Sequence, residues 1–447
     1  MKEIDILIKN GTILTMNKET EIIENGFLAI KNGKIIDIGK LSQQTNDIQA
    51  KKIINGENYL IMPGFINTHT HSAMSYFRGI ADDLPLKKWL TEYIWPIEKK
   101  YVSPKFVKNA SELAIAEMIY SGITSFVDMY FFEDETAKVC NQIGIRCFLG
   151  EGMMNFPTPS FNTTDDNLKF IEEMHDEYID NDLINFNPAP HAIYTCSKEN
   201  ILKAKRQSDK IGSILHIHLS ETEEEVQESI KKYGMRPVEY LHKIGVLDEN
   251  LLIAHCNWIN EKEAELLAKY KVNIAINPES NMKLATGIPP IKNFLDYNIN
   301  VSLGTDGAAS NNNLDMLGEM DTVAKLAKAF YKDSAFLNAK EVVKFATING
   351  AKSVNKQDEF GSLEKGKLAD VILISLDDVK NIPLYNYYSH LVYVITRESV
   401  RTVIIDGKII MENKEFKTID IDKVKQNAYS FAKNIKNDLS VHRVREY

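Results

Sequence analysis

The sequence predicts an α/β protein whose core is an eight-stranded (β/α)8 barrel. Short buried-type apolar runs alternate with amphipathic helical stretches over about 300 residues, which is the order that a parallel barrel requires. The runs predicted as strands are Gly64–His71, Thr124–Met129, Arg146–Gly150, Asn185–His191, Ser213–Leu219, Leu251–His255, Asn273–Asn277 and Asn300–Thr305. The predicted helices include Ala110–Ser121, Asp165–Tyr178, Lys198–Lys210, Glu223–Tyr233, Glu261–Lys269 and Met316–Tyr331.

Both ends of the chain show the alternation of apolar and polar residues that is typical of antiparallel strands. Asp5–Thr15 and Gly26–Ile38 carry this pattern near the N-terminus. Ala369–Ser375 and Arg401–Ile410 carry it near the C-terminus. Since the two β-rich segments bracket the barrel pattern, we expect them to pair into one small domain.

Turn residues and these patterns define the predicted domains. Asn10-Gly11 and Asn32-Gly33 are pairs that favour tight turns between strands. Residues 1–58 together with residues 365–447 form the predicted composite β-rich domain, which ends in a charged helical tail. Residues 59–364 form the predicted catalytic barrel.

Composition indicates an ordinary globular protein. The 447 residues are 44% hydrophobic and 26% charged, and the net charge of −9 argues against a nucleic-acid surface. No apolar run approaches the ~18–20 residues of a membrane span, and the N-terminus lacks the apolar stretch of a signal peptide. The four cysteines show no Cys-x-x-Cys spacing and indicate reduced thiols. We therefore expect a cytoplasmic protein with neither a nucleic acid nor a membrane as its partner.

Potential metal ligands lie at the ends of several predicted strands. His69 and His71 are two residues apart, so their side chains face the same side of a strand and can reach one metal ion. This pattern alone carries little weight, because strand histidines are often ordinary core or surface groups. His218, His255 and Asp306, however, end three further predicted strands. Because barrel enzymes carry their catalytic groups at these strand ends, the sequence predicts one shared metal site.

Three sequence blocks carry a family resemblance, Met62–His71, Arg78–Leu90 and Leu303–Ser310. Over essentially the whole chain, the sequence resembles the amidohydrolase superfamily. Within it, the sequence is similar to the 5′-methylthioadenosine/S-adenosylhomocysteine deaminases, which are related to triazine chlorohydrolases. The resemblance implies a TIM-like metal-dependent hydrolase barrel, a terminal β-sandwich and a homo-oligomer. It also implies hydrolytic deamination.

The resemblance implies a single-metal site held by His69, His71, His218 and Asp306. Three neutral imidazoles and one carboxylate suit a borderline-soft divalent cation and leave a position for water. Superfamily members with two metals usually bridge them with a carboxylated lysine on the fourth strand, and Asn185–His191 contains no lysine. We therefore expect one Zn²⁺ per chain, with Fe²⁺ as the alternative.

Glu221 matches the family's His-x-x-Glu motif and is the expected proton shuttle. A metal-bound hydroxide would attack C6 of the purine, while Glu221 protonates N1 and then the departing ammonia. His255 would hydrogen-bond the attacking water and, with Asp306, take its proton. The remaining acidic residues of this run, Glu223–Glu225, are interpreted as surface carboxylates.

Further residues match the family's substrate pocket. Trp89 would stack on the purine, with core packing as its alternative role. Glu98 would accept hydrogen bonds from the ribose hydroxyls, with a salt bridge on the helix surface as its alternative. His191 matches a histidine that contacts the purine ring, and Ser310 matches a serine near the base. His216, two residues before His218, is interpreted as a structural barrel histidine.

One departure from the family concerns the substrate tail. Relatives that take S-adenosylhomocysteine commonly place arginines after the third strand to hold its carboxylate, whereas no arginine lies between Cys147 and Lys205. We therefore expect adenosine or 5′-methylthioadenosine to be preferred. Arg236, or an arginine of a neighbouring subunit, is the remaining candidate for binding that carboxylate.

Three functions remain open. The first is deamination of an adenine nucleoside, namely 5′-methylthioadenosine, S-adenosylhomocysteine or adenosine, to the inosine analogue. The second is removal of an amino or chloro group from another N-heterocycle, such as guanine, 8-oxoguanine or an s-triazine. The third is a non-catalytic amidohydrolase-like scaffold. Glu98 with Trp89 favours a purine nucleoside, since free bases have no diol, and the complete set of ligands argues against a scaffold.

Overall fold

The computed structural model describes residues 3–42 and 48–441, the last five by their backbone alone. Among these residues, the strands form one nine-stranded sheet and two four-stranded sheets. Both four-stranded sheets are parallel, as the predicted α/β class requires.

The nine-stranded sheet begins with the N-terminal strands. They are β1 (Ile4–Leu14), β2 (Ile22–Lys31), β3 (Lys34–Lys40), β4 (Ala50–Asn55) and β5 (Tyr59–Pro63). Asn32 and Gly33, both with positive φ, form the predicted turn between β2 and β3. The turn predicted at Asn10-Gly11 is wrong, because β1 continues through it. Asn10, with a φ of 69°, lies where the β1–β2 register shifts, so the pair produces a bulge instead.

All eight strands predicted for the barrel are present. One sheet contains β6 (Phe65–Thr70), β7 (Ile123–Tyr130), β8 (Arg146–Met153) and β9 (Ile184–Pro190). The other contains β10 (Leu215–Leu219), β11 (Leu251–His255), β12 (Asn273–Ile276) and β13 (Asn300–Leu303). The two sheets contact each other at both edges. A parallel bridge joins Ala192 to His218, and the backbone N–H of Asp306 donates to the carbonyl of His69 at 3.0 Å.

The C-terminal strands complete the first sheet. They are β14 (Val371–Ser375), β15 (Val400–Ile405), β16 (Lys408–Glu412) and β17 (Glu415–Phe416). β14 pairs antiparallel with β5, which in turn pairs with β1. The two ends of the chain therefore share one sheet.

The helices agree with the predicted pattern. The six predicted helices appear as Pro104–Tyr120, Thr164–Glu177, Lys198–Ile211, Glu223–Tyr233, Glu261–Lys269 and Met316–Tyr331. Further helices are Glu133–Ile143, Pro237–Ile244, Pro278–Lys283, Ile291–Asp296, Ala339–Phe345, Ile348–Ser353 and Tyr387–Tyr393. The predicted tail is helical over Ile421–Val441, and residues 442–447 lie outside the described range. None of the described helices is both long enough and apolar enough to cross a membrane.

Short helical segments follow β6. A 3-10 helix spans Ser72–Phe77. After it, the chain is α-helical over Leu86–Lys88, π-helical over Trp89–Ile94 and α-helical again over Trp95–Tyr101. Single turns of π-helix are rare and often occur at functional sites. This run contains Trp89 and Glu98, two of the residues predicted to contact substrate.

A buried ion pair joins the terminal sheet to the parallel strands. Arg146, at the start of β8, donates from Nε to Oδ2 of Asp370 at 3.0 Å and from Nη2 to Oδ1 at 3.3 Å. The backbone N–H of Asp406 also donates to Asp370, at 2.8 Å. Because both charged side chains are buried, loss of either partner would leave an uncompensated charge.

Candidate active site

Imidazoles and a carboxylate converge at the carboxyl ends of the parallel strands. His69 lies in β6 and His71 just after it, His218 lies in β10, and Asp306 follows β13. Nε2 of His71 is 3.2 Å from Oδ1 of Asp306 and 3.4 Å from Nε2 of His218. Nε2 of His69 is 3.5 Å from the same oxygen of Asp306. The structure thus brings all four predicted metal ligands together.

Backbone carbonyls fix the tautomers of two of these imidazoles. Nδ1 of His71 lies 2.6 Å from the carbonyl oxygen of Met129, and Nδ1 of His218 lies 2.9 Å from that of His191. Because a carbonyl oxygen only accepts hydrogen bonds, each Nδ1 carries the proton. Each Nε2 is therefore the nitrogen that faces the centre and, once it carries no proton, can offer its lone pair to a metal ion.

The third imidazole is held by another histidine. Nδ1 of His69 lies 3.0 Å from Nε2 of His216, and both side chains are fully buried. His216 therefore supports His69 from behind, in agreement with its interpretation as a structural residue. Nε2 of His69 is buried and has no hydrogen-bond partner among the described residues, so a metal ion is the partner that would satisfy it.

The electrostatics also suit a cation. Burial lowers the pKa of His69 to about 3 and that of His218 well below its usual range, so both are neutral and able to bind a metal. The pKa of His71 is raised to about 9, because its hydrogen bond with Asp306 and the charge of that carboxylate outweigh burial. At neutral pH, His71 therefore carries a second proton, on Nε2. A divalent cation bound between His71 and Asp306 would displace that proton.

Two hydroxyls orient Asp306. Oδ2 of Asp306 accepts hydrogen bonds from the hydroxyls of Ser280 at 2.6 Å and Ser310 at 2.8 Å. Oδ1 is left to face the histidines and also accepts from the backbone N–H of Gly307. A Cβ on Gly304 would lie 2.8 Å from Cβ of His69, so only glycine allows this close approach of β13 to β6.

His255 and Glu221 border the same centre. Nδ1 of His255 donates to Oδ1 of Asn281 at 2.9 Å, which leaves Nε2 facing Oε2 of Glu221 at 3.9 Å. The ligand nitrogens of His69, His218 and His255 lie within 4.8 Å of one another. Burial raises the pKa of Glu221 above its ordinary value. Glu221 can therefore hold a proton close to the metal ligands.

A second glutamate fixes the turn that carries Glu221. The backbone N–H groups of Ser220 and Glu221 donate to the two carboxylate oxygens of Glu225, each at 2.9 Å. Ser220 has a φ of 53°, an unfavourable value for a non-glycine residue. The interpretation of Glu225 as a surface carboxylate is wrong. The first turn of the helix Glu223–Tyr233 places the side chain of Glu225 beneath the end of β10, where it is buried. Glu223 and Glu224, in contrast, are exposed.

One pocket contains the predicted substrate-binding residues. Trp89, Glu98, His191, Glu221 and Ser310 line it together with metal-ligand candidates. Its remaining wall is mainly apolar and includes Met74, Leu86, Leu90, Ile94, Trp95, Met129, Phe131, Met154 and Leu284. Within the described ranges, no lysine or arginine lines this pocket.

One expectation, for Arg236, and one alternative, for Glu98, are corrected. Arg236 does not line the pocket, because its Nε donates to the fully buried carboxylate of Glu263 at 2.6 Å. Glu98 is not on the helix surface. It is buried, and its Oε1 accepts a hydrogen bond from the hydroxyl of Tyr130 at 2.7 Å. Burial raises the pKa of Glu98 to about 7.

The sequence of this chain matches a known protein family. The model of the amidohydrolase family matches residues 60–410, which include every candidate metal ligand. The chain belongs to the amidohydrolase family. The predicted family resemblance is therefore confirmed, and the amidohydrolase fold accounts for parallel strands that deliver ligands at their carboxyl ends.

Relatives of this amidohydrolase carry consistent names. A 5-methylthioadenosine/S-adenosylhomocysteine deaminase of Thermodesulfovibrio yellowstonii is 42% identical over 433 residues, which cover 96% of this chain and 99% of the relative. A 5'-deoxyadenosine deaminase of Methanococcoides burtonii is 40% identical and covers 96% and 98%. The crystal structure of an adenosine deaminase from Xanthomonas campestris, with bound zinc, is 34% identical with a TM-score of 0.95 and covers 98% and 99%.

Several residues of this amidohydrolase site were not found from the sequence. They are Tyr130, Tyr194, Glu225, Ser280 and Asn281. Tyr130 lies one residue beyond a predicted strand, and Ser280 and Asn281 lie just after another. For Tyr130, Ser280 and Asn281, the position next to a strand end is therefore the signal that could have identified them.

Proposed function

We propose that this amidohydrolase is a zinc-dependent hydrolytic deaminase of adenine nucleosides. Water adds at C6, the amino group leaves as ammonia, and the product is the inosine analogue. The observation that carries the proposal is the convergence of three histidines and Asp306 beside Glu221, in a pocket that also contains Glu98. The names of the relatives support it.

The cation would be held by His69, His71, His218 and Asp306. The unpartnered Nε2 of His69 and the mixed nitrogen and oxygen donors support one Zn²⁺ per chain. When bound, zinc lowers the pKa of a coordinated water, which supplies a nucleophile near neutral pH.

Proton transfer is assigned to Glu221, His255 and Asp306. His255 hydrogen-bonds the attacking water through Nε2, because its Nδ1 is already engaged with Asn281. It takes up the water's proton together with Oδ1 of Asp306. The carboxyl group of Glu221, whose pKa is raised by burial, gives its proton to N1 of the purine. The resulting carboxylate takes the proton of the hydroxyl now on C6 and gives it to the amino group, so that the C6–N bond breaks and ammonia leaves. The proton first taken from the water then returns to Glu221.

Four further residues orient the substrate in this proposal. Trp89 stacks on the purine, His191 contacts the ring, and Ser310, which holds Asp306, lies near the base. Glu98 accepts hydrogen bonds from the ribose hydroxyls. A free base or an s-triazine has no such hydroxyls and would leave this buried carboxylate without a ligand partner, so a nucleoside is favoured.

We also propose how the whole chain is arranged. Residues 59–364 close into a TIM-like barrel, which the contacts at both edges of the parallel sheets support. Residues 1–58 and 365–447 form the β-sandwich domain. Family resemblance supports a homo-oligomer, and light scattering on purified protein would measure its size.

A substrate panel tests the proposed function. Zinc-loaded protein is incubated separately with adenosine, 5′-methylthioadenosine, S-adenosylhomocysteine, guanine and 8-oxoguanine, and ammonia release is measured. We expect rapid release from the adenine nucleosides and none from the free bases. Activity confined to guanine or 8-oxoguanine would replace the proposal with the second function considered from the sequence.

The apolar pocket wall predicts the preferred 5′ substituent. Because no cation of the described residues lines the pocket, the carboxylate of S-adenosylhomocysteine would be buried without a partner, which is unfavourable. We expect kcat/KM for 5′-methylthioadenosine or adenosine to equal or exceed that for S-adenosylhomocysteine. 5′-Deoxyadenosine, which has no tail, is the control. A tenfold preference for S-adenosylhomocysteine, about 1.4 kcal/mol, would contradict this expectation.

A variant of Glu225 tests how the turn carrying Glu221 is held. In Glu225→Gln, an amide NH₂ faces one of the two backbone N–H donors, so that donor loses its acceptor. We expect kcat to fall about tenfold, the effect of one unsatisfied buried donor, while zinc content is unchanged. Glu224→Gln, at an exposed neighbouring position, is the matched control. An unchanged kcat in Glu225→Gln would show that the turn holds without its carboxylate.

A further inference from the structure

Glu98 and Tyr130 form a buried pair on one side of the pocket. Glu98 lies in the helix Trp95–Tyr101, and Tyr130 is the last residue of β7. Both side chains are less than 10% exposed, and both line the pocket. The hydroxyl of Tyr130 donates to Oε1 of Glu98 at 2.7 Å, which joins the carboxylate of the helix to the end of β7.

This hydrogen bond leaves the other carboxylate oxygen available. Oε2 of Glu98 has no hydrogen-bond partner within the described ranges. Glu98 lines the same pocket as Trp89, Met129 and Phe131. Of the two carboxylate oxygens, Oε2 is therefore the one that can accept from a ligand.

We propose that Tyr130 is a positioning residue for sugar recognition. By holding Oε1, it directs Oε2 of Glu98 towards the ribose hydroxyls and sets the preference for ribonucleosides over nucleosides that lack both hydroxyls. The inference rests on the proposed function, because it takes a nucleoside as the ligand of Glu98.

Two physical effects make the hydroxyl of Tyr130 important. A glutamate side chain has several rotatable bonds, and fixing it before substrate arrives removes part of the ordering that binding would otherwise require. Burial also favours the neutral form of Glu98, whose pKa is about 7, whereas the hydrogen bond from Tyr130 favours the carboxylate. Tyr130 thus maintains both the direction and the acceptor character of Glu98.

The test compares two substrates on zinc-loaded full-length protein. Adenosine and 2′,3′-dideoxyadenosine share the base but differ in the hydroxyls at issue. In Tyr130→Phe, we expect KM for adenosine to rise about tenfold with kcat changed less than about twofold, and KM for the dideoxy analogue to stay near the parental value. A general disturbance of the pocket would raise KM for both substrates equally. That result, or no change for either substrate, would overturn the proposal.

A matched variant controls for the loss of a hydroxyl. Tyr101→Phe removes one from the same helix, at a half-buried position outside the pocket. It should keep the parental constants for both substrates. Zinc content and melting temperature of each variant establish that the protein is folded and loaded.

A double variant tests whether Tyr130 acts through Glu98. If it does, Tyr130→Phe combined with Glu98→Gln should bind adenosine no more weakly than Glu98→Gln alone. Effects that multiply would overturn the proposal, because Tyr130 would then act independently. If the parent protein deaminates no adenine nucleoside, the proposed function itself fails. A parent that deaminates adenosine while Tyr130→Phe is unaffected refutes the inference alone.

Discussion

Replacing both His69 and His71 by alanine is expected to abolish metal binding and activity together. The change removes two of the four candidate ligands, and with His71 it removes the imidazole that lies closest to Asp306. Two remaining ligands cannot supply the tetrahedral set that zinc prefers. Elemental analysis of purified protein should fall from about one zinc per chain to none, and ammonia release should become undetectable.

A control pair of histidines separates this effect from general damage. His242 and His390 lie on helices outside the pocket, and their double replacement by alanine should retain one zinc and parental activity. Two metals per chain in the parent, or full activity in the variant lacking His69 and His71, would overturn the single-metal assignment.

Glu221→Gln is expected to give a protein that binds zinc but turns over slowly. Glutamine preserves the size and hydrogen bonding of the side chain but cannot give a proton to N1 or to the leaving amino group. We expect kcat to fall by roughly 10²–10⁴ while zinc content is unchanged. Single-turnover kinetics would place the loss in the chemical step. Glu223→Gln, at an exposed position two residues further on, is the matched control, and activity of Glu221→Gln within a fewfold of the parent would remove Glu221 from the mechanism.

Much of the fold and of the candidate site could be predicted from local sequence. Buried parallel strands are short continuous apolar runs, and several of them end where a polar side chain reaches the pocket. His69, His218, His255 and Asp306 could therefore be located on strand ends before their contacts were known. These four residues were expected at one edge of the strands, because parallel strands align their carboxyl ends.

The residues that support the site depend on contacts between distant segments. Glu225 belongs to an acidic run that looks solvated, and only the path of the helix shows that it returns beneath the strand end. Asn10-Gly11 has the residues of a turn, yet the pairing of β1 with β2, β4 and β5 keeps it within a strand. Tyr130 and Ser280 act on side chains far away in the sequence, so no local pattern identifies their partners.

The sheet shared by both ends of the chain has a consequence for synthesis on the ribosome. β5 lies between β1 and β14 in the sheet, so one of its edges stays unpaired until Val371–Ser375 has been translated. Arg146 likewise waits for Asp370 before its buried charge is balanced. At about 5–20 residues per second, the nascent chain spends many seconds with an open strand edge, a state prone to aggregation. The nine-stranded sheet is therefore completed only after Val371–Ser375 and the strands that follow it have emerged.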